Sequence, residues 1–477
     1  MFVSTERVFA IFKELNQIPR PSHHEERVAD YLCQFAQRLN LDYDRDSHNC
    51  VVIRKPATPG HEHAEPVVLL NHMDMVCVGM ADPLNSPVEA YVDGGWMKAR
   101  GTSLGADNGI GLSMALAVLE SQDIVHGPLE VITTTNEEDG MSGASNLSPD
   151  FIKGRKVINL DSEDYDTITT GAAGACLQFH RIAIQWQDVQ EADRLWFRIH
   201  FMGGLGGHSG VDINKGRASA VEMACRLLTK IHEAHDMDIA QFNAGEANAS
   251  IASAAEIVVA VSSPAAVSFV EKQVEQMNLW LKSHYGQTDP GMRCTIERCD
   301  AHPRVADKAA VDTLLYCLGH IPQGVVAMSQ VMENTVETSN NIGRVGTQDD
   351  HFFVSTHTRS FVDEDMEILS RRIAECFAKR GGESEIIMSA PAWQENQHSD
   401  FLKLTSDTFD DVLGWRPRMV AMHFVLEAGF FVQKFPGIEM ASIGPRIVEP
   451  HSASERVELS TVDDIWKVLV ELLGRLA

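Results

Sequence analysis

Residues 66–74 read Pro66-Val67-Val68-Leu69-Leu70-Asn71-His72-Met73-Asp74. The apolar residues Val67 to Leu70 run almost directly into a histidine and an aspartate two positions apart. A short, continuously apolar run is the mark of a strand buried on both faces, as in a parallel sheet. One polar residue at its end is ordinary turn punctuation. Two metal-competent residues there need a further reason, because desolvating them is costly unless something offsets it.

The pattern recurs along the chain. Leu129–Thr133 leads into Glu137, Glu138 and Asp139, and Val157–Leu160 stops at Asp161. Val51–Ile53 is another such run, and a helical stretch, Ile110–Leu119, lies between two of them. Strands alternating with helices predict an α/β fold with a mixed, largely parallel sheet and flanking helices. In an open parallel sheet ligands bind at the carboxyl ends of the strands, the side on which these acids fall. The Gly-rich segment GTSLGADNGIG (101–111) sets Asp107 just before a helix, and ASIGPRIVEPHS (441–452) delivers His451 from a loop after another apolar run.

Outside this frame, Val8, Ile11, Phe12 and Leu15 fall at helical spacing, and Pro19 and Pro21 end that pattern. Ser22 with Glu25 reads as a capping box for a second helix with the apolar face Val28, Tyr31, Leu32 and Phe35. From about residue 180 the character changes. Trp196–Phe201 alternates like a half-exposed strand, as does Val354–Phe361, and helical stretches cover Ala218–His235 and Ala265–His284. Half-exposed strands with helices on one face predict a separate α+β domain. The buried-strand signature returns at Met440–Ile443, before a final helix, Thr461–Leu476. The expected organisation is a split catalytic domain, 1–180 and 390–477, with a lid or dimerisation-type domain, 181–389, inserted in it.

Acids outnumber bases, 67 to 40, for a net charge of -27, which disfavours nucleic acid and anionic membrane surfaces. No run of about 18 apolar residues predicts a membrane span. The amino-terminal stretch lacks a signal-peptide pattern. The 9 cysteines show no CxxC pairing, as expected of reduced thiols in the cytoplasm. No Lys or Arg occurs between Lys55 and Lys98 or between Arg100 and Lys153, so the converging carboxylates have no cation nearby in sequence. Divalent metal is the simplest counter-charge, and histidines with carboxylates suit Zn²⁺, or Mn²⁺ and Co²⁺. Five such ligands exceed one tetrahedral ion and fit two ions that share a bridging carboxylate.

The segments HMD, GADNGIG, NEEDGMSGA, NLDSE, GGHSG and EPHS together resemble the co-catalytic metallopeptidases of clan MH, the family of carnosinase, peptidase T and the aminoacylases, and within it the bacterial aminoacyl-histidine dipeptidases. The resemblance covers essentially the whole chain. It implies a zinc-peptidase type catalytic domain with His72, Asp107 and Asp161 on one metal, and Asp107, Glu138 and His451 on the other. Asp74 would orient the His72 imidazole, and Glu137 would be the general base for attack of a metal-bridging water. The residues alone do not decide which of Glu137 and Glu138 is ligand and which is base. His208, in GGHSG, would stabilise the oxyanion. Arg359 would pair with the substrate carboxylate, and Glu427 would meet its amino group. Asn71 stands where many relatives have glycine, and NEED replaces TEE; neither removes a ligand.

The implied activity is hydrolysis of unblocked dipeptides, Xaa-His dipeptides included. The alternatives are an amidohydrolase of N-acylated amino acids, and a binding or scaffold protein that keeps the fold without the activity. Dimeric relatives make a homodimer one expectation; the inserted domain covering the site in cis is the other, and the sequence does not choose between them.

Overall fold

In the computed structural model, which describes residues 4–189, 194–394 and 399–477, the opening stretch lies at the centre of a sheet of eight strands. Their spatial order is Asp42–Arg45, Val51–Lys55, Leu129–Thr134, Val67–His72, Lys156–Asn159, Glu439–Ser442, Thr167–Ala172 and Arg418–Met422. Val67–His72 runs parallel to both its neighbours, and Glu439–Ser442 continues the parallel block. Antiparallel pairs flank it, at Val51–Lys55 on one side and Thr167–Ala172 on the other. Every residue of Val67–His72 and of Leu129–Thr134 is buried, which explains why these strands read as unbroken apolar runs.

The chain divides into two units. One comprises Met1–Ala172, Trp393–Ala421 and Leu426–Ala477; the other comprises Ala173–Ala392 with Met422–Val425. The first unit holds the mixed sheet. Its helix Ala106–Glu120 is buried at every position but the last, as a helix apolar all round must be. Gly111 lets that helix approach the sheet: a Cβ there would stand 2.1 Å from the Leu160 carbonyl oxygen.

The second unit is built on an antiparallel sheet. Its strands run in the order Arg293–Arg298, Leu195–Met202, Ala255–Val261, Met237–Ala244, Val336–Thr347, His351–Ser360, Gly174–Ala183 and Glu383–Ala390, with Gly324–Met328 paired to Val336–Thr347. The helices Ala220–Ala234, Pro264–Tyr285, Lys308–His320 and Asp363–Ala378 supply the rest of its core. Ser263 and Asp307 cap two of them through side-chain oxygens that accept from Ala266 N and Ala310 N.

Two sequence expectations fail. Ser22 does not cap the helix Glu26–Arg38; its hydroxyl donates to Asp74 Oδ2 at 2.8 Å, and the Glu25 carboxylate accepts instead from His23 N and Asn136 N. A tertiary acceptor has outcompeted the local one. The strand His351–Ser360 is not half-exposed: from Val354 on it is buried throughout, because it lies inside the sheet with the helix Asp363–Ala378 packed on it. All nine cysteines are free thiols. Among the described residues no helix is long and apolar enough to cross a membrane.

Candidate metal centre and active site

Strand register brings the acids together. His72 pairs with Thr134, and Leu70 with Asn159, so the parallel strands end at one level. The chain then leaves the sheet through Asn136-Glu137-Glu138 on one side and through Asp161 on the other. Ser442 pairs with Asn159, and the next segment crosses so tightly that a Cβ on Gly444 would lie 1.8 Å from the Ser162 carbonyl oxygen. That crossing leads on to His451.

Asp107 sits at the middle of the cluster. Its Oδ1 is 3.1 Å from His72 Nε2, and its Oδ2 is 3.0 Å from His451 Nε2. Each histidine faces a further carboxylate: Asp161 Oδ1 is 3.3 Å from His72 Nε2, and Glu138 Oε2 is 2.9 Å from His451 Nε2. Ligand atoms of His72, Asp107 and Glu138 all lie within 4.8 Å of one another, and so do those of Asp107, Glu163 and His451. Glu163 was not singled out in the sequence; its only signal was its place two residues past Asp161 in an extended segment.

The donor set fits divalent metal. The groups are imidazole and carboxylate, and Glu138 Oε1 is buried without a hydrogen-bond partner. Burial pushes the Asp161 carboxyl up to about 7 and that of Glu163 up to about 8. Burial also acts against His72, but the Asp161 charge and the surrounding carboxylates outweigh it and raise the imidazole's pKa. Crowded, buried carboxylates of this kind need a compensating positive charge beside them.

Asp74 organises the neighbouring groups. Its Oδ1 lies 3.3 Å from His72 Nδ1 and accepts from Glu137 N at 3.1 Å, while its Oδ2 accepts from Glu138 N at 3.2 Å. With Glu25 on Asn136 N, three successive N–H groups of this loop are held by buried carboxylates. Glu137 is buried and Glu138 mostly so. Burial, followed by nearby carboxylate charge, raises the Glu137 pKa well above the ordinary range.

A buried cation, Arg20, lies behind these loops. It is 1% exposed and donates to the carbonyls of Met73, Asp74 and Gly105 at 3.0, 2.9 and 2.6 Å. Glu427 is also buried. Its Oε2 accepts from Thr134 Oγ1 at 2.6 Å, its Oε1 has no partner, and burial pushes its pKa up to about 8.

In the second unit, Arg359 is 3% exposed, and its hydrogen-bond partner among the described residues is the Ser209 hydroxyl, at 3.3 and 3.4 Å. Among the described residues no carboxylate lies within ion-pair distance of it. His208 Nδ1 accepts from Gly210 N and Val211 N at 3.2 and 3.1 Å. That acceptor role puts the proton of the neutral ring on Nε2. Burial, then the Arg359 charge, keeps His208 on the neutral side.

Residues 68–475 match the profile of peptidase family M20/M25/M40. The chain belongs to that family and is an enzyme of the hydrolase class. It is 34% identical over 480 residues to the cytosol non-specific dipeptidase of Escherichia coli (strain K12), covering 99% of this chain and 98% of that protein. Among solved structures, the aminoacylhistidine dipeptidase of Vibrio alginolyticus superposes with a TM-score of 0.93 at 32% identity, over 99% of this chain and 97% of the other. The aminopeptidase PepT of Bacillus cereus, at a TM-score of 0.60, 17% identity and 99% coverage of each chain, shares the fold.

Proposed function

We propose that this protein is a cytoplasmic dipeptidase that uses two divalent metal ions, zinc first among them, to hydrolyse unblocked dipeptides, those of Xaa-His type included. The observation that carries the reading is Asp107, whose two oxygens face two different histidines, each with a carboxylate of its own. The similarity to two bacterial dipeptidases along the full chain supports the substrate class.

His72, Asp107 and Asp161 would hold one ion, and Asp107, Glu138 and His451 the other; Glu138 also lies within reach of the His72 side and Glu163 of the His451 side. When bound, the ions supply Lewis acidity to water and to the scissile carbonyl. Glu137 takes the proton from the attacking water and passes it to the departing amine. Asp74 keeps the His72 ring and the Glu137 backbone in place. His208 offers its Nε2–H to the carbonyl oxygen as charge develops there. Arg359 presents a guanidinium fork to the substrate carboxylate. Glu427 offers its unpartnered Oε1 to the amino group.

The test is a panel of free, N-acetylated and C-terminally amidated dipeptides assayed with defined metals. Free dipeptides are expected to be cleaved, the activity to vanish with chelator, and Zn²⁺, Mn²⁺ or Co²⁺ to restore it. A preference for N-acetylated substrates would move the protein to the amidohydrolases. Near-zero metal and no hydrolysis after reconstitution would leave only a binding role.

A further inference from the structure

Glu455 lies four residues after His451, in the segment HSASE, and is 3% exposed. Its carboxylate accepts from a run of four backbone N–H groups in the loop that carries Asp107. Oε2 takes Leu104 N at 2.7 Å and Gly105 N at 2.9 Å; Oε1 takes Ala106 N at 2.8 Å and Asp107 N at 3.3 Å. The other side of the same loop is held by Arg20, whose guanidinium joins the Gly105 carbonyl to those of Met73 and Asp74 at the end of the His72 strand.

Neither residue faces the metal cluster with its own charge free. Both spend that charge on backbone. Hydrogen bonds to an ionised group are about twice as strong as neutral ones. One carboxylate spanning four consecutive N–H groups fixes the path of the loop, and so the direction in which Asp107 leaves it. The short turn between His451 and Glu455, closed by Glu455 N to Ser452 O at 3.2 Å, makes one loop carry both a candidate ligand and the brace for another.

We infer that Glu455, backed by Arg20, is a positioning residue that locks the Asp107 loop to the His451 loop, so that the shared aspartate is presented to both ion positions at once. This rests on the reading of Asp107 and His451 as ligands. Residues that orient ligands in this way are typically worth 10–100-fold in metal affinity or activity.

Glu455→Gln tests it, since an amide would turn an NH₂ group toward two of the four donors. The first control is Glu130→Gln. Glu130, also 3% exposed, clamps Lys153 N and Gly154 N at the opposite end of the sheet through the same chemistry. The measurements are the Zn²⁺ dissociation constant against a chelating dye, the visible spectrum of the Co²⁺ form, kcat and KM, and the urea midpoint. Glu455→Gln is expected to weaken Zn²⁺ binding about 10–100-fold, to shift the Co²⁺ bands, and to lower kcat more than it raises KM. Glu130→Gln is expected to lower only the urea midpoint. If Glu455→Gln does not fold, Glu455→Asp carries the test, because its shorter arm keeps the charge but cannot span both pairs of donors. Wild-type Zn²⁺ affinity and Co²⁺ bands in the Glu455 variant, or equal weakening by Glu130→Gln, would overturn the inference. A second control, Asp107→Asn, separates the two claims: if it binds Zn²⁺ like the wild type, the ligand reading itself has failed.

Discussion

The cluster at the strand ends of the first unit and the cluster around Arg359 in the second both bury polar atoms without partners, yet their charges have opposite sign. Around Asp107 the groups are carboxylates and two histidines, and burial drives acids such as Asp161 and Glu163 toward holding protons. Around Arg359 the companions are His208, His357, His423 and the hydroxyls of Ser209 and Ser339, all kept neutral or weakly polar. Both ring nitrogens of His357 lack partners. Desolvation lowers the Arg359 pKa to about 10, still a full positive charge at neutral pH. A buried charge is costly without a partner. By charge alone, the first cluster suits cations and the second an anion.

The largest effect should come from the acid end of this comparison. Glu137→Ala is expected to lower kcat by about 10²–10⁴-fold, the usual worth of a general base, with the metal content of the protein unchanged. Metal analysis on the same sample checks that second clause. An active variant would show that Glu137 is not the base. A variant that lost metal as well would place it among the ligands and reassign Glu138.

Arg359→Met probes the other cluster and should act on binding. Hydrogen bonds to a charged group are worth about 1.5–3 kcal/mol, or about 10–150-fold. KM for a free dipeptide should rise by that order. The C-terminal amide of the same dipeptide, which offers the guanidinium no carboxylate, should lose much less. A variant that still prefers the free carboxylate would separate Arg359 from substrate recognition and dissolve the contrast between the clusters.

How much of this was legible in the sequence follows from what kind of partner each residue has. The strand ends were readable because Val67–Leu70, Leu129–Thr133 and Val157–Leu160 are apolar runs that stop at acids, and a period-free run carries its own meaning. The convergence of His72, Asp107, Glu138, Asp161 and His451 needed register, which the ligand motifs encode only through resemblance. Arg20 and Glu455 were invisible for a physical reason. Their partners are backbone atoms far along the chain, and a backbone carbonyl or N–H leaves no trace in residue type. Ser22 misled for the converse reason: it fits a local motif, and the structure spends its hydroxyl on Asp74. The alternation in Val354–Phe361 misled because serine, threonine and histidine there are polar residues buried inside a sheet, where Thr356, Thr358 and Ser360 find side-chain partners on neighbouring strands while Ser355 and His357 find none.

The smallest effect, taken per pH unit, is a slope in stability, and it belongs to the second unit. His180 is fully buried, with Nδ1 2.7 Å from Ser384 Oγ, Nε2 2.9 Å from Thr356 Oγ1 and its ring stacked on Phe377 at 4.1 Å. Burial alone lowers its pKa from 6.5 to about 3. The folded state thus refuses a proton that the unfolded chain accepts below about pH 6.5. The sign follows: stability from keeping this ring neutral is intact above pH 6.5 and is lost as pH falls toward 3. The slope is about 1.4 kcal/mol per pH unit for each such histidine. His423, lowered to about 3 by burial and then by Arg359, adds a second contribution of the same sign. Urea midpoints measured from pH 7 to pH 4 should therefore fall with acid, and His180→Gln, which cannot take up the proton, should remove one histidine's share of the slope. The cluster around Arg359 supplies the contrast. His357 and His423 owe part of their low pKa to the guanidinium, so Arg359→Met should flatten the slope further, whereas His180, with no charged partner, should titrate as before. A slope that Arg359→Met leaves untouched would mean that burial alone holds His357 and His423 neutral, and that the charge of the second cluster is weaker than its geometry suggests.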